Sequence, residues 1–117
     1  MSNIADLAKR LQVLEDIEAI KKVKAEYCAH CDDGYNPDGI GALFAEDGVW
    51  DGGADVFGKY DGRDAIKKFF TGATKVIPFA VHNVMNPIIE VDGDNATGQW
   101  YLFQPCTMTD QDGDKAV

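Results

Sequence analysis

The chain has 117 residues, 45% of them hydrophobic and 26% charged, with 20 acidic against 11 basic residues and a formal net charge of −9. That length suits one domain over residues 1–117, and that charge disfavours nucleic acid and anionic membrane surfaces, both of which recruit Lys and Arg. No apolar run approaches the roughly 20 residues that span a bilayer, and Met1 to Leu14 carries Asp6, Lys9 and Arg10 where a signal peptide has its apolar core, so a cytoplasmic protein is expected.

Ile4, Leu7, Ala8, Leu11 and Leu14 recur at helical spacing, and Ile17, Ile20, Val23, Tyr27 and Cys31 follow in a second register. The pattern predicts a short helix, a slight break near Leu14 to Asp16 with Asp16 as N-cap, and a longer helix ending near Cys31 or Asp32. Asp33-Gly34-Tyr35 reads as a turn. Asn36 before Pro37 reads as an N-cap followed by proline in the first helical position, which opens a short helix over Asp38 to Phe44. Val49 to Asp51 and Val56 to Tyr60 read as two short strands. Asp61-Gly62 turns into a helix from Arg63 to about Ala73, with Ala65, Ile66, Phe69 and Phe70 inward. Phe79 to Val91 is a long strand, and Asp92-Gly93-Asp94-Asn95 signals a hairpin. Ala96 to Thr109 forms the return strand, and Asp110 to Asp114 makes a second hairpin turn. Helices followed by an antiparallel meander give the α+β class.

His82, one of two histidines, lies within an apolar strand. An imidazole titrates near neutral pH and suits general-base work; a core histidine with a satisfied hydrogen bond fits the same pattern. Asp32 sits at a helix C-terminus, where the helix dipole disfavours an anion, so a second reason for its presence is sought. The plainer reading is a turn aspartate in an Asp-Asp-Gly run, and Asp33 is the alternative acid. Cys28-Ala29-His30-Cys31 offers one Cys-x-x-Cys pair where a structural zinc site takes four ligands, and it lies at the wrong helix end to activate a thiol. Three cysteines in all point to reduced thiols. The Asp-Gly-Asp runs lack the spacing of a calcium loop. No metal and no cofactor is expected.

Several stretches, in this order, resemble the SnoaL-like branch of the nuclear transport factor 2-like superfamily. They are Leu14-Glu15-Asp16-Ile17-Glu18-Ala19-Ile20, then Tyr27 with Asp32 after it, then Ala42-Leu43-Phe44-Ala45-Glu46-Asp47-Gly48-Val49-Trp50. Tyr60-Asp61-Gly62-Arg63-Asp64-Ala65-Ile66 follows, and last Val81-His82-Asn83 running into Asn86-Pro87-Ile88-Ile89-Glu90-Val91-Asp92-Gly93. The resemblance implies a curved antiparallel sheet wrapped around N-terminal helices, a cone-shaped α+β barrel with a deep apolar pocket. Relatives include polyketide cyclases, scytalone dehydratase, bile-acid dehydratases and ketosteroid isomerase, which act on hydrophobic ring compounds without a cofactor.

On that resemblance His82 is a general base, Asp32 orients it, and Tyr27 polarises a substrate oxygen. Trp50, Phe57, Tyr60, Trp100 and Phe103 are candidates for the pocket wall, although aromatic residues on strands commonly form plain core. The implied function is a lyase or isomerase acting on a small hydrophobic, cyclic molecule; the alternative is a non-catalytic binding or oligomerisation module. Family members usually continue for two more long strands beyond Asp112-Gly113. Without them the barrel is incomplete at its C-terminus and the Ala96–Thr109 strand keeps an open edge. Truncation, or a partner subunit in a homodimer or higher homo-oligomer, would account for this.

Overall fold

The computed structural model describes residues 3–109 and 115–116; the turn expected over Asp110 to Asp114 lies outside them. Helix α1 (Ile4–Asp32) runs unbroken for 29 residues and is capped by the Asn3 side chain, which accepts from the Asp6 N–H at 2.8 Å. The expected break at Leu14 to Asp16 is absent. Asp16 caps nothing; its carboxylate accepts from Gln12 Nε2 at 2.8 Å, one turn back along the same helix. No glycine or proline interrupts this stretch, so the two apolar registers join without a stop.

Asn36 caps α2 (Pro37–Gly41) by accepting from the Gly39 N–H at 3.1 Å, and Pro37 occupies the first turn as expected. The helix ends earlier than Phe44. Strand β1 (Val49–Asp51) pairs antiparallel with β2 (Lys59–Asp61), Trp50 opposite Tyr60. The strand expected over Val56 to Tyr60 is replaced in its first half by a π-helical turn over Gly53–Phe57. Gly53 and Gly58 take φ of 93° and 85°, which only glycine adopts freely, and the Gly58 N–H donates to Gly53 O at 2.8 Å to close the loop. Helix α3 (Arg63–Thr71) follows, with Ile66 and Phe70, four residues apart, fully buried on one face.

The single long strand expected from Phe79 to Val91 is two strands, β3 (Phe79–Ala80) and β4 (Asn83–Asp92), separated at Val81 and His82. Their partner divides at the same level into β5 (Asn95–Phe103) and β6 (Cys106–Thr109), separated at Gln104 and Pro105. Pro105 has no N–H to give the ladder, so pairing stops there; its carbonyl accepts from Val81 N–H at 3.0 Å. The hairpin at Asp92 to Asn95 forms as expected. β6 also pairs with β7 (Lys115–Ala116), so among the described residues the strand order is β3-β6-β7 beside β4-β5. The edge expected to stay open is therefore covered at Met108 and Thr109, while among the described residues β5 pairs only with β4 and the sheet does not close.

The core gathers Cys31 from the end of α1, Tyr35 from the turn after it, Ile40 of α2, Ile66 and Phe70 of α3, then Ala73, Ile77 and Ala80. It seals one side of a hollow between the helices and the sheet. No helix among the described residues is long and apolar enough to cross a membrane.

Candidate functional site

The break between β3 and β4 places His82. Outside regular pairing, its backbone N–H is free, and it donates to Asp32 Oδ1 at 2.8 Å. The imidazole Nδ1 lies 2.8 Å from the same oxygen. An ionised carboxylate can only accept, so Nδ1 carries the proton of the neutral ring and Nε2 keeps its lone pair. The imidazole is 7% exposed, against 34% for the Asp32 side chain. The pair is thus sheltered on its imidazole side and reachable by water on its carboxylate side. Asp33 makes no such contact; its backbone N–H closes the end of α1.

His82 lines a cavity of about 500 Å³ together with Tyr27, Tyr35, Trp50, Phe57, Phe69 and Phe70. Tyr27 sits on the inward face of α1, and its hydroxyl oxygen accepts from Trp50 Nε1 at 2.7 Å. Burial, reinforced by the neighbouring Cys31 thiol, pushes the Tyr27 phenol well above its ordinary value, which keeps it a hydrogen-bond donor. Trp50 is fixed by stacking on Phe69 at 4.9 Å and by the edge of Phe70 at 5.2 Å.

Three expected wall residues lie elsewhere. Tyr60 stands behind the wall, stacked on Phe69 at 4.4 Å, with its hydroxyl donating to Phe57 O at 2.8 Å. Trp100 folds along its own strand over Gly98, where a Cβ would approach the indole to 2.6 Å, and it lines a separate, smaller hollow with Asn86 and Pro87. Phe103 alternates with Leu102 and Gln104, which face the cavity, and is 62% exposed. Trp50 and Phe57 do line it.

Tyr35 and Gln104 are among the wall residues that escape sequence reasoning. Tyr35 reads as a turn residue, yet it is buried, with φ of 53°, stacked on Phe70 at 5.9 Å and set edge-on to His82 at 5.7 Å. Gln104 donates to the Tyr35 hydroxyl at 3.3 Å. The Gln104-Pro105 dipeptide carries a signal, because proline inside a strand pattern marks a break; Tyr35 offers none. Cys28 and Cys31 are buried thiols, and burial pushes both up, Cys31 to about 12, which suppresses the thiolate.

A model of the SnoaL-like domain matches residues 12–117. The chain belongs to the SnoaL-like domain family. Three solved structures from Novosphingobium aromaticivorans share the SnoaL-like chain's fold. A candidate aromatic ring hydroxylase is 24% identical with a TM-score of 0.74, over 87% of this chain and 71% of that one. A candidate scytalone dehydratase is 24% identical with a TM-score of 0.72, over 84% of this chain and 64% of that one. A nuclear transport factor 2-like protein with a cystatin-like fold is 23% identical with a TM-score of 0.68, over 97% of this chain and 84% of that one. At such identities the likeness is one of fold. The SnoaL-like chain thus spans just under two thirds of the dehydratase candidate's length. No curated protein matches it in sequence.

Proposed function

We propose that this SnoaL-like chain is a cofactor-independent lyase or isomerase acting on a small hydrophobic, cyclic substrate. The observation that carries the reading is the 2.8 Å contact between His82 Nδ1 and Asp32 at the wall of an aromatic-lined cavity. In this reading His82 Nε2 removes a proton from a carbon next to a carbonyl or a leaving group. The electron pair left on carbon moves to the carbonyl oxygen, or expels a hydroxyl group, which departs as water with the proton that His82 has taken up. Asp32 holds the imidazole in the competent tautomer and stabilises the imidazolium that forms. Tyr27 donates to the oxygen on which charge develops. Trp50 and Phe57 pack against the ring.

A positioned general base contributes about 10²–10⁴-fold to such a step. His82→Ala is therefore expected to lower turnover, or the exchange of substrate carbon-bound hydrogen with deuterated water, by at least that factor. Circular dichroism checks that the variant keeps the fold. Undiminished activity in His82→Ala refutes the assignment. A wild-type chain that binds ring compounds but never exchanges their protons belongs to the alternative, a non-catalytic binding module.

A further inference from the structure

We propose that the cavity selects a ring compound bearing a carboxylate, and that Lys24 is the group that holds this anion. The proposal rests on the reading of the cavity as a substrate site. Among the described residues, Lys24 is the only Lys or Arg that lines the cavity. Lys21 and Lys22, its neighbours on α1, turn to Glu18 and Glu26. Lys24 makes no ion pair among the described residues; its ammonium lies 5.0 Å from the Tyr27 ring centroid and 5.4 Å from that of Trp100. Two aromatic faces attract a cation without neutralising it. An ammonium carries three donors, so at least one is left for a ligand. Half-buried beside apolar rings, such a charge acts through a lower effective dielectric than one in open water.

The remaining charges set the orientation. Among the described residues, Asp51 is the one carboxylate on the lining, and its Oδ1 is engaged by the Gly53 N–H at 2.9 Å. Asp32 is engaged by His82. A ligand anion is therefore steered to the Lys24 side of the cavity and repelled from the Asp51 side. Lys24 Nζ lies 5.0 Å from the Tyr27 ring centroid, so the ammonium and the phenol hydroxyl border the same part of the cavity. The carboxylate consequently lies only a few bonds from the oxygen that Tyr27 would hold. The substrate class is then a flat ring compound with a carboxylate close to its carbonyl or hydroxyl group.

The test compares 2-naphthoate with the uncharged, near-isosteric 2-naphthamide by isothermal titration calorimetry. Wild type is expected to prefer naphthoate by about tenfold or more, equivalent to about 1.4 kcal/mol. Lys24→Gln should abolish that preference, and Lys24→Arg should retain it. Equal affinities in wild type, or a preference that survives Lys24→Gln, overturn the proposal but leave the proton-abstraction reading intact. Failure of both probes to bind overturns the proposal together with the cavity reading.

Discussion

Asp32 accepts two hydrogen bonds from His82 with a single oxygen, one from the backbone and one from the ring. The backbone bond holds the carboxylate in place whatever the ring does, so the ring finds its acceptor already oriented. Replacing the carboxylate by an amide removes the negative charge and adds donors that compete for Nδ1. Asp32→Asn is expected to lower turnover by about 10²–10⁴-fold and to move the neutral imidazole toward the Nε2-protonated tautomer. Nitrogen-15 shifts of the ring report this directly; an unchanged tautomer ratio would remove Asp32 from its positioning role. The neighbouring Tyr35 illustrates what residue-level reading misses. A bulky residue at φ of 53° is strained by about 1–3 kcal/mol, and only the surrounding contacts with Phe70, His82 and Gln104 hold it there. Those contacts come from three separate parts of the chain, so no local pattern announces them.

The elements were legible where their periodicity was strong and their ends were chemically marked. Helix α3 is the clear case: Ile66 and Phe70 form its inward face, and Gly62, at φ of 91°, precedes its first turn. Ile66 has no exposed surface and packs within the core that backs the cavity. Ile66→Ala is expected to destabilise the fold by about 2–5 kcal/mol, measured as a lower urea midpoint at unchanged slope. A loss below about 0.5 kcal/mol, the level of an ordinary surface substitution, would contradict this account of the core. The readings that failed did so for physical reasons. The apolar content of Val56 and Phe57 suggested a strand, but flanking glycines let the chain close a π-helical turn that leaves Val56 71% exposed. Phe79 to Val91 looked continuous because side-chain pattern does not report where a partner strand withdraws its hydrogen bonds.

At the scale of the whole molecule, burial holds the phenols of Tyr27 and Tyr35 and the thiol of Cys31 in their neutral forms. Burial pushes Cys31 from 9.0 to about 12 and Tyr35 from 10.0 to about 12, and Tyr27 is raised further. Groups raised in this way bind protons more tightly folded than unfolded. Their contribution is fully present below the unfolded values and is lost as pH climbs through the folded ones. Stability should therefore fall from about pH 9 to about pH 12. Urea midpoints measured across that window test it, and a midpoint that stays flat or rises would mean these groups ionise freely in the fold. The molecule is elongated, 67 × 27 × 24 Å, because α1 extends beyond the sheet. Its Ile4, Leu7, Leu11 and Leu14 side chains are exposed, as are Tyr101, Leu102 and Phe103 of β5.

The amino-acid order alone determined the α+β class, the inward face of α3, the Asn36 cap and the hairpin at Gly93, because these depend on neighbours within a few residues. It also carried the family's wording, and with it the pairing of His82 with Asp32 as an expectation. Only the tertiary structure decided that the strand opens at His82 opposite Pro105, freeing an N–H for Asp32. It alone decided which aromatic rings face the cavity, that Tyr35 and Gln104 join them, and that Lys24 stands among them. Those outcomes depend on contacts between residues tens of positions apart, which no local periodicity encodes.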